Sequence, residues 1–239
     1  MDYHRQPFED DLLDFLRAQD AYWKWDDHKH LALLTSGKIS DVFVNCTPVF
    51  TQPSFQRNAA EGLLTLAHFG TTPMPIPLGS WNTQTNVWVV GSAMGAIGLA
   101  QSVAAELGAR SAYTERDGDQ MSLKRFDLGH APKVLLVEDV FTTGGTTRRT
   151  MAAITRNHPD AEFYPQAFAL VNRQQDNGML LTMVDETRDE PRRYPVEMWG
   201  LAHVQANVWD SAAALPDGLK QCVAVRPKQN WHALTTEYL

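Results

Sequence analysis

The sequence predicts an α/β fold built on a twisted, mainly parallel sheet of about five strands with helices on both faces. Short apolar runs, such as 134–137, have the composition of strands buried on both faces of a parallel sheet. Two of these runs, 87–90 and 134–137, lead through turns of small residues into helical patterns. A single domain is expected, with a core of about 54–178 and a small hood from about 1–50 and 185–239 over the carboxyl ends of the strands.

Composition restricts the partners of the chain. With 239 residues, of which 44% are apolar, it is long enough for one sizeable core. Its formal charge of -7 argues against nucleic acid or an anionic membrane surface as the main partner. Two cysteines, Cys46 and Cys222, make no disulfide framework. Neither a signal-peptide pattern nor an apolar run of roughly 18 residues is found, so a cytoplasmic location is expected.

Residues 134–146, Val-Leu-Leu-Val-Glu-Asp-Val-Phe-Thr-Thr-Gly-Gly-Thr, hold the most informative pattern. Glu138 and Asp139 come after the apolar run, where a buried strand is expected to surface. A small turn then leads into a helix predicted over 147–157. The residues of this turn are Thr142, Thr143, Gly144, Gly145 and Thr146. Ligands of open α/β sheets bind at the carboxyl ends of strands, and this turn follows such an end.

The residue types of the 142–146 turn suit a phosphate group. Glycines let backbone N–H groups approach an anion, the start of a helix adds its positive dipole end, and Thr hydroxyls donate further hydrogen bonds. Glu138 and Asp139 would repel a phosphate, so they suit hydroxyl groups or a metal ion. Because a sugar phosphate satisfies both halves of the pattern, the sequence predicts a sugar-phosphate site here.

A second turn of small residues follows the apolar run 87–90. Its residues are Ser92, Ala93, Met94 and Gly95. Apolar residues at helical spacing come next and predict a helix that ends at Gly108, because glycine readily adopts the left-handed conformation found at helix ends. A strand, a small turn and a helix in this order form a second geometry able to bind an anion.

The 134–146 pattern resembles, position for position, the phosphoribosyl-pyrophosphate motif of the type I phosphoribosyltransferases. The resemblance implies the type I phosphoribosyltransferase fold. It also implies that Glu138 and Asp139 hold the ribose hydroxyls. The 142–146 turn would hold the 5-phosphate, and the 92–95 turn would hold the pyrophosphate.

Two further segments are similar to the orotate branch of that family. The segment 36–45, Ser-Gly-Lys-Ile-Ser-Asp-Val-Phe-Val-Asn, matches a pattern that implies contact of Phe43 and Val44 with the base. Lys38 is a nearby candidate for a cationic contact with the base. After 167–171, the sequence Asn-Arg-Gln-Gln-Asp-Asn-Gly implies that Arg173 binds the orotate carboxylate, a task suited to a planar fork of donors.

Residues 111–125 correspond by position to the mobile loop of the family. Asp117-Gly118 is a tight-turn signal between two strand-like pieces. In the family the loop closes over the pyrophosphate and, in dimeric orotate enzymes, reaches into the neighbouring subunit's site. Closure excludes water and brings cations to the leaving group, here Arg116, Lys124 and Arg125. The alternative for Lys124 and Arg125 is a solvated hairpin strand.

The resemblance covers roughly residues 34–178, and the chain departs from the usual orotate pattern at several positions. The histidine of the usual mobile loop is absent. Thr35, Gly95 and Asp117 stand where lysine is found in many members. Asn172 stands where an acid is usual.

The resemblance implies an orotate phosphoribosyltransferase of de novo pyrimidine nucleotide biosynthesis. Such an enzyme converts orotate and phosphoribosyl pyrophosphate to orotidine 5-phosphate and pyrophosphate. Mg²⁺ is the implied cofactor, with no residue assigned as a direct metal ligand. The implied assembly is a homodimer, and the predicted catalytic residues are Arg116, Lys124, Arg125 and Asp139.

Two alternatives stay open. The first is a type I transferase for another nucleobase, in which Arg173 would not face the base. The second is a non-catalytic regulator that binds phosphoribosyl pyrophosphate, which the altered mobile loop would suit. A metal site of Asp26, His28 and His30 fits less well than a polar surface segment, because no further ligand has clear spacing. The chain has no Walker-type Gly-x4-Gly-Lys-Ser/Thr sequence.

The remaining segments are assigned from their patterns. Helices are expected over 7–19 and 54–69, a surface connector over 70–84, an exposed loop over 187–193 and a strand over 194–204. The Trp-rich C-terminal segment is expected to pack over the core or an interface.

Overall fold

A computed structural model describes residues 7–69, 86–186 and 189–238. The connector predicted over 70–84 lies outside the described residues, as do two residues of the loop predicted over 187–193. The chain divides into two compact units, one of Met1–Val49 with Val204–Leu239 and one of Phe50–His203.

The helices and strands of the described residues are numbered in chain order. The helices are α1 (Pro7–Ala18), α2 (Pro53–Phe69), α3 (Ile97–Leu107), α4 (Gly145–Asn157) and α5 (Trp231–Thr236). The strands are β1 (Tyr22–Lys24), β2 (His30–Leu33), β3 (Ile39–Ser40), β4 (Val42–Val44), β5 (Val87–Ser92), β6 (Arg110–Asp117), β7 (Gln120–Ser122), β8 (Lys133–Phe141), β9 (Glu162–Asn172), β10 (Met179–Asp185), β11 (Arg192–His203), β12 (Val208–Trp209) and β13 (Val223–Val225).

The larger unit is built on one sheet, which in its described residues has seven strands in the order β10-β11-β9-β8-β5-β6-β7. The inner neighbours from β11 to β6 are parallel, and β10 and β7 pair antiparallel at the two edges. This confirms the predicted mainly parallel α/β fold. The sheet is wider than the expected five strands, since β10 was missed. As an edge strand, β10 buries Leu181 and Met183 but exposes Leu180 and Val184, so its pattern is weak.

Helices pack on both faces of this sheet, as predicted. On one face, Met151 and Ile154 of α4 belong to the same buried cluster as Val90 of β5. On the other face α3 lies very close to β5, because a Cβ added at Gly91 would be 3.0 Å from Ala100 Cβ. Helix α2 packs against α3.

Several element boundaries differ from the sequence prediction in ways that matter for the site. The strand predicted over 134–137 continues to Phe141, because its pairing with β9 extends to Asn172. Helix α4 begins at Gly145, inside the Thr/Gly segment. Helix α3 ends as predicted at Gly108, which has φ 63°.

The smaller unit combines both ends of the chain. Its described residues form a four-stranded sheet, β12-β3-β2-β13, and a two-stranded sheet, β1-β4. Strands β12 and β13 come from the Trp-rich C-terminal segment, and β13 pairs with β2. Trp23 Nε1 donates to Leu234 O at 2.9 Å, which ties β1 to α5. The predicted hood began at residue 185, but β11 belongs to the sheet of the larger unit because it pairs with β9.

Among the described residues, none of the helices has the length and apolar character required to cross a lipid bilayer.

Candidate active site

Three segments assigned to the site by sequence follow adjacent strands of the larger unit. The 92–95 turn begins at Ser92, the last residue of β5, the 142–146 turn follows β8, and Arg173 follows β9. These strands are parallel neighbours. Arg173 N donates to Phe141 O at 2.8 Å, which fixes the start of its loop beside the end of β8. The three segments therefore meet at the carboxyl edge of the sheet, where ligands of open α/β sheets bind.

Glu138 lies inside β8, which corrects the expectation that both acids follow the strand. Its side chain is 5% exposed and accepts a short hydrogen bond from the Ser92 hydroxyl. Burial raises the pKa of Glu138 to about 8, although the hydrogen bond from Ser92 and the charge of Arg149 lower it. Near neutral pH Glu138 therefore holds a proton in the folded protein.

Asp139 is half-buried and projects to the opposite face of β8, since side chains alternate along a strand. Its Oδ1 accepts a hydrogen bond from Val140 N at 2.9 Å. A Cβ added at Gly95 would overlap the Asp139 carboxylate. Glycine at position 95 thus lets the backbone of the 92–95 turn lie directly against Asp139, and a lysine there would force this carboxylate to move.

The 142–146 turn exposes hydroxyls and starts a helix. Thr142 and Thr143 are exposed. Gly144 has φ 71°, and a Cβ there would lie 3.0 Å from both Leu181 Cδ1 and Met198 Cε. No side chain of the described residues caps the start of α4 at Gly144. The first N–H groups of a helix have no partner within the helix, so this end suits an anion.

The segment predicted as the mobile loop forms a hairpin of β6 and β7, turning at Gly118. Two of its predicted cations pair with acids of the same hairpin. Lys124 Nζ lies 3.0 Å from Asp117 Oδ2, and Arg125 Nε lies 3.0 Å from Glu115 Oε1. The hydrogen bond that Arg125 donates to Glu115 raises the pKa of Arg125. Arg116 is exposed. Because the two pairs are exposed, their attraction is weak enough to be exchanged for a charged ligand.

The loop that carries Arg173 is held by a buried asparagine. Asn172 is 0% exposed, and its Oδ1 accepts from Gln174 N at 3.0 Å. Its Nδ2 donates to Asn177 Oδ1 and to Met198 O, each at 3.1 Å. An ionised acid could not donate to Met198 O, so the geometry accounts for asparagine at this position.

The predicted base-binding residues of the N-terminal segment lie in the smaller unit. Lys38 is exposed in the β2–β3 turn, and its Nζ is 2.7 Å from Asp210 Oδ1. Phe43 and Val44 are half-buried in β4, with the Phe43 ring centroid 6.2 Å from that of Trp231.

The histidines near the N-terminus have separate partners within the smaller unit. The His28 ring lies 4.3 Å from the ring of Tyr238, and its Nδ1 accepts from Asp26 N at 3.2 Å. His30 Nε2 lies 3.1 Å from Glu237 Oε2. The described part of the chain contains no cluster of three or more His, Cys, Asp and Glu residues able to hold a metal.

Sequence reasoning missed three contributors to this strand edge: the buried hydrogen bond from Ser92 to Glu138, the Asn172 network, and Arg149 beside the 142–146 turn. A signal existed only for Arg149, because basic residues are unusual next to the positive end of a helix.

The parallel sheet, with acids and a Thr/Gly turn at the end of β8, defines the chain as a type I phosphoribosyltransferase. Over 148 residues it is 31% identical to the orotate phosphoribosyltransferase of Heliobacterium modesticaldum, covering 62% of this chain and 69% of that protein. The chain belongs to the orotate phosphoribosyltransferase family. It is also 35% identical over 122 residues to the enzyme of Desulforamulus reducens, covering 51% of this chain and 56% of that protein.

The matches cover different shares of the relatives and of the solved structures. The chain spans only 56% and 57% of two curated relatives, from Desulforamulus reducens and Caldanaerobacter subterraneus. No protein-family model matches the sequence. Among solved structures, the orotate phosphoribosyltransferase from Aeropyrum pernix is similar with a TM-score of 0.47 and 20% identity, covering 69% of this chain and 83% of that chain.

Replacing Glu138 by Gln should change how stability depends on pH. Burial raises the pKa of Glu138, so the folded protein keeps a proton that the unfolded chain loses above the ordinary value of 4.5. The contribution of Glu138 to stability is therefore full below that value and is lost as pH rises toward about 8. The wild-type free energy of unfolding should fall relative to Glu138→Gln by up to roughly 1 kcal/mol per pH unit.

Urea unfolding of both proteins at about pH 5.5 and about pH 7.5 measures this difference. Glutamine keeps the shape of the side chain and can accept from Ser92, so it isolates ionisation. Parallel stability curves for the two proteins would contradict the buried, protonated state.

Replacing Asn172 by Ala should lower the free energy of unfolding by about 2 kcal/mol, because Met198 O and Gln174 N lose a buried partner. Urea unfolding measures the loss. Asp176→Ala, an exposed position in the same loop, is the control and should change stability by less than about 0.5 kcal/mol. Equal effects of the two substitutions would show that Asn172 does not hold the loop.

Proposed function

We propose that the protein transfers the phosphoribosyl group of phosphoribosyl pyrophosphate to orotate, releasing pyrophosphate. The observation that supports this most strongly is the end of β8, which presents Asp139 and the 142–146 turn together. Family membership at 31% identity adds support for orotate as the acceptor. The roles given below to individual residues are also proposals.

The reaction is a displacement at the anomeric carbon through an oxocarbenium-like state. Asp139 binds ribose hydroxyls and faces the developing positive charge. Glu138, whose side chain is buried, is assigned to the same ribose hydroxyls. The 142–146 turn anchors the 5-phosphate, and the 92–95 turn receives the pyrophosphate. Because the sugar is held at several points, positioning contributes much of the rate.

The acceptor base is recognised mainly through its carboxylate in this proposal. Arg173 supplies a planar fork of donors that matches a carboxylate. Its position at the end of β9 is fixed by the backbone bond to Phe141 O at 2.8 Å and by the adjacent Asn172 network. Lys38, Phe43 and Val44 of the smaller unit are also assigned to the base.

Mg²⁺ is the proposed cofactor, and the donors of the larger unit fit it. Mg²⁺ binds through one or two carboxylates together with substrate phosphates and keeps several waters, so it needs no cage of protein ligands. The Asp139 carboxylate beside the 92–95 turn provides such a donor next to the pyrophosphate position. When bound, the ion offsets the charge of the leaving pyrophosphate.

Three cations are proposed to offset the charge of the leaving pyrophosphate: Arg116, Lys124 and Arg125. The roles of Lys124 and Arg125 require their ion pairs with Asp117 and Glu115 to open toward the pyrophosphate. We also propose that the two units work as one phosphoribosyltransferase domain and that the protein forms a homodimer.

A panel of bases tests the proposed function. Purified protein is incubated with phosphoribosyl pyrophosphate, Mg²⁺ and orotate, uracil or a purine, and pyrophosphate release is followed. Orotate should react and the bases without a carboxylate should not. Release with uracil or a purine but not with orotate would assign the protein to another base. Binding without release for any base would favour a non-catalytic regulator.

Asp139→Asn should raise the KM for phosphoribosyl pyrophosphate at least about tenfold, because the amide loses the charge that accepts from ribose hydroxyls. Initial rates with varied substrate measure this effect. Glu106→Gln makes the same acid-to-amide change on the exposed face of α3 and should leave the KM within about twofold of wild type. Normal kinetics of the Asp139 variant, with an unchanged thermal midpoint, would remove this residue from the site.

A further inference from the structure

Helix α4 carries two arginines near its amino end, where positive charge is unfavourable for helix stability. It begins at Gly145, has no acid in its first turn, and places Arg148 and Arg149 just after the Thr/Gly segment. The amino end of a helix is the positive end of its dipole, so nearby cations are unfavourable there while anions are favourable. A cation whose side chain turns back toward this end therefore suits a negatively charged ligand better than it suits the free helix.

Of the two arginines, Arg149 has a side chain that contacts the 142–146 turn. Its Nη2 donates to Thr146 Oγ1 at 3.4 Å. Its Nη1 lies 3.6 Å from the position that a Cβ on Gly145 would occupy. Its positive charge also lowers the pKa of the buried Glu138. The two distances place the guanidinium beside the amino end of α4 and the 142–146 turn.

Arg148 provides a natural comparison. It is exposed like Arg149 and has the same charge. Successive residues of an α-helix are rotated by about 100° around its axis, so the Arg148 side chain leaves α4 in a different direction. Only its backbone N is bonded toward the turn, to Gly144 O at 2.9 Å.

We propose that Arg149 is a further substrate-binding residue, which donates from its guanidinium to the 5-phosphate held by the 142–146 turn. This inference rests on the proposed function, because it needs a sugar phosphate in that turn. The guanidinium fork matches two phosphate oxygens at once. Its only bond within the turn is long, at 3.4 Å to a neutral hydroxyl, so a phosphate dianion offers it a stronger partner.

Calorimetry on the full chain tests the proposal with ribose 5-phosphate, ribose and inorganic pyrophosphate as separate ligands. Arg149→Ala should raise the Kd for ribose 5-phosphate about tenfold, the size expected for one charge-assisted contact that is partly exposed. The Kd for pyrophosphate should change by less than about twofold, because the 92–95 turn binds it elsewhere. Arg149→Lys should fall between wild type and Arg149→Ala, since lysine keeps the charge but not the fork.

The matched control is Arg148→Ala, which removes the same charge from the same helix and should leave the Kd for ribose 5-phosphate within about twofold of wild type. The thermal midpoint of Arg149→Ala should not be lower than that of wild type, because the change removes a cation from the positive end of α4. A lower midpoint with unchanged binding would show a structural role and overturn the proposal.

Other outcomes separate this inference from the proposed function. Equal affinities of the Arg148 and Arg149 variants for ribose 5-phosphate would overturn the role of Arg149 alone. An equal loss for pyrophosphate and ribose 5-phosphate would also overturn it, since it would indicate a general effect of charge. Failure of the wild-type protein to bind ribose 5-phosphate more tightly than ribose would overturn the proposed function together with this inference.

Discussion

Side-chain alternation along β8 is the constraint on which the site depends. Adjacent residues of a strand face opposite sides of a sheet, so Glu138 and Asp139 cannot point the same way. Glu138 turns toward the side of α4 and meets the Ser92 hydroxyl, whereas Asp139 turns toward Gly95. The two neighbouring acids therefore have different environments, and Asp139 lies beside the backbone at Gly95.

This division reduces the electrostatic conflict between acids and phosphates. A pair of ionised carboxylates beside two turns that are proposed to bind phosphate groups would repel both of those groups. Burial keeps Glu138 protonated near neutral pH, so the end of β8 is less negative than its sequence indicates. The amino end of α4 and the charge of Arg149 add positive potential on the same side. This distribution of charge suits the proposed contacts, with sugar hydroxyls at the strand end and an anion three residues later.

The sequence predicted what depends on local pattern and missed what depends on tertiary contacts. Apolar runs followed by glycine-containing turns were enough to predict β5, β8, β9 and α3, with Gly108 as the helix end. Edge strand β10 was missed because only alternate residues are buried. The burial of Glu138 could not be predicted, since it results from the pairing of β8 with β9 beyond the apolar run. One partner of Asn172, the Met198 carbonyl, lies on β11, 26 residues away, and leaves no local signal.

Three departures from the usual family pattern each have a partner in the structure. Gly95 allows the backbone to approach Asp139, Asn172 donates to Met198 O, and Asp117 pairs with Lys124. The first two fit the close packing of the strand ends, so restoring the common residue at either position would disturb a contact. The third differs, because Asp117 neutralises a cation of the hairpin that would otherwise be available to a ligand. Two cations of the hairpin, Lys124 and Arg125, are paired with acids, whereas Arg149 of α4 contributes its positive charge directly beside the 142–146 turn.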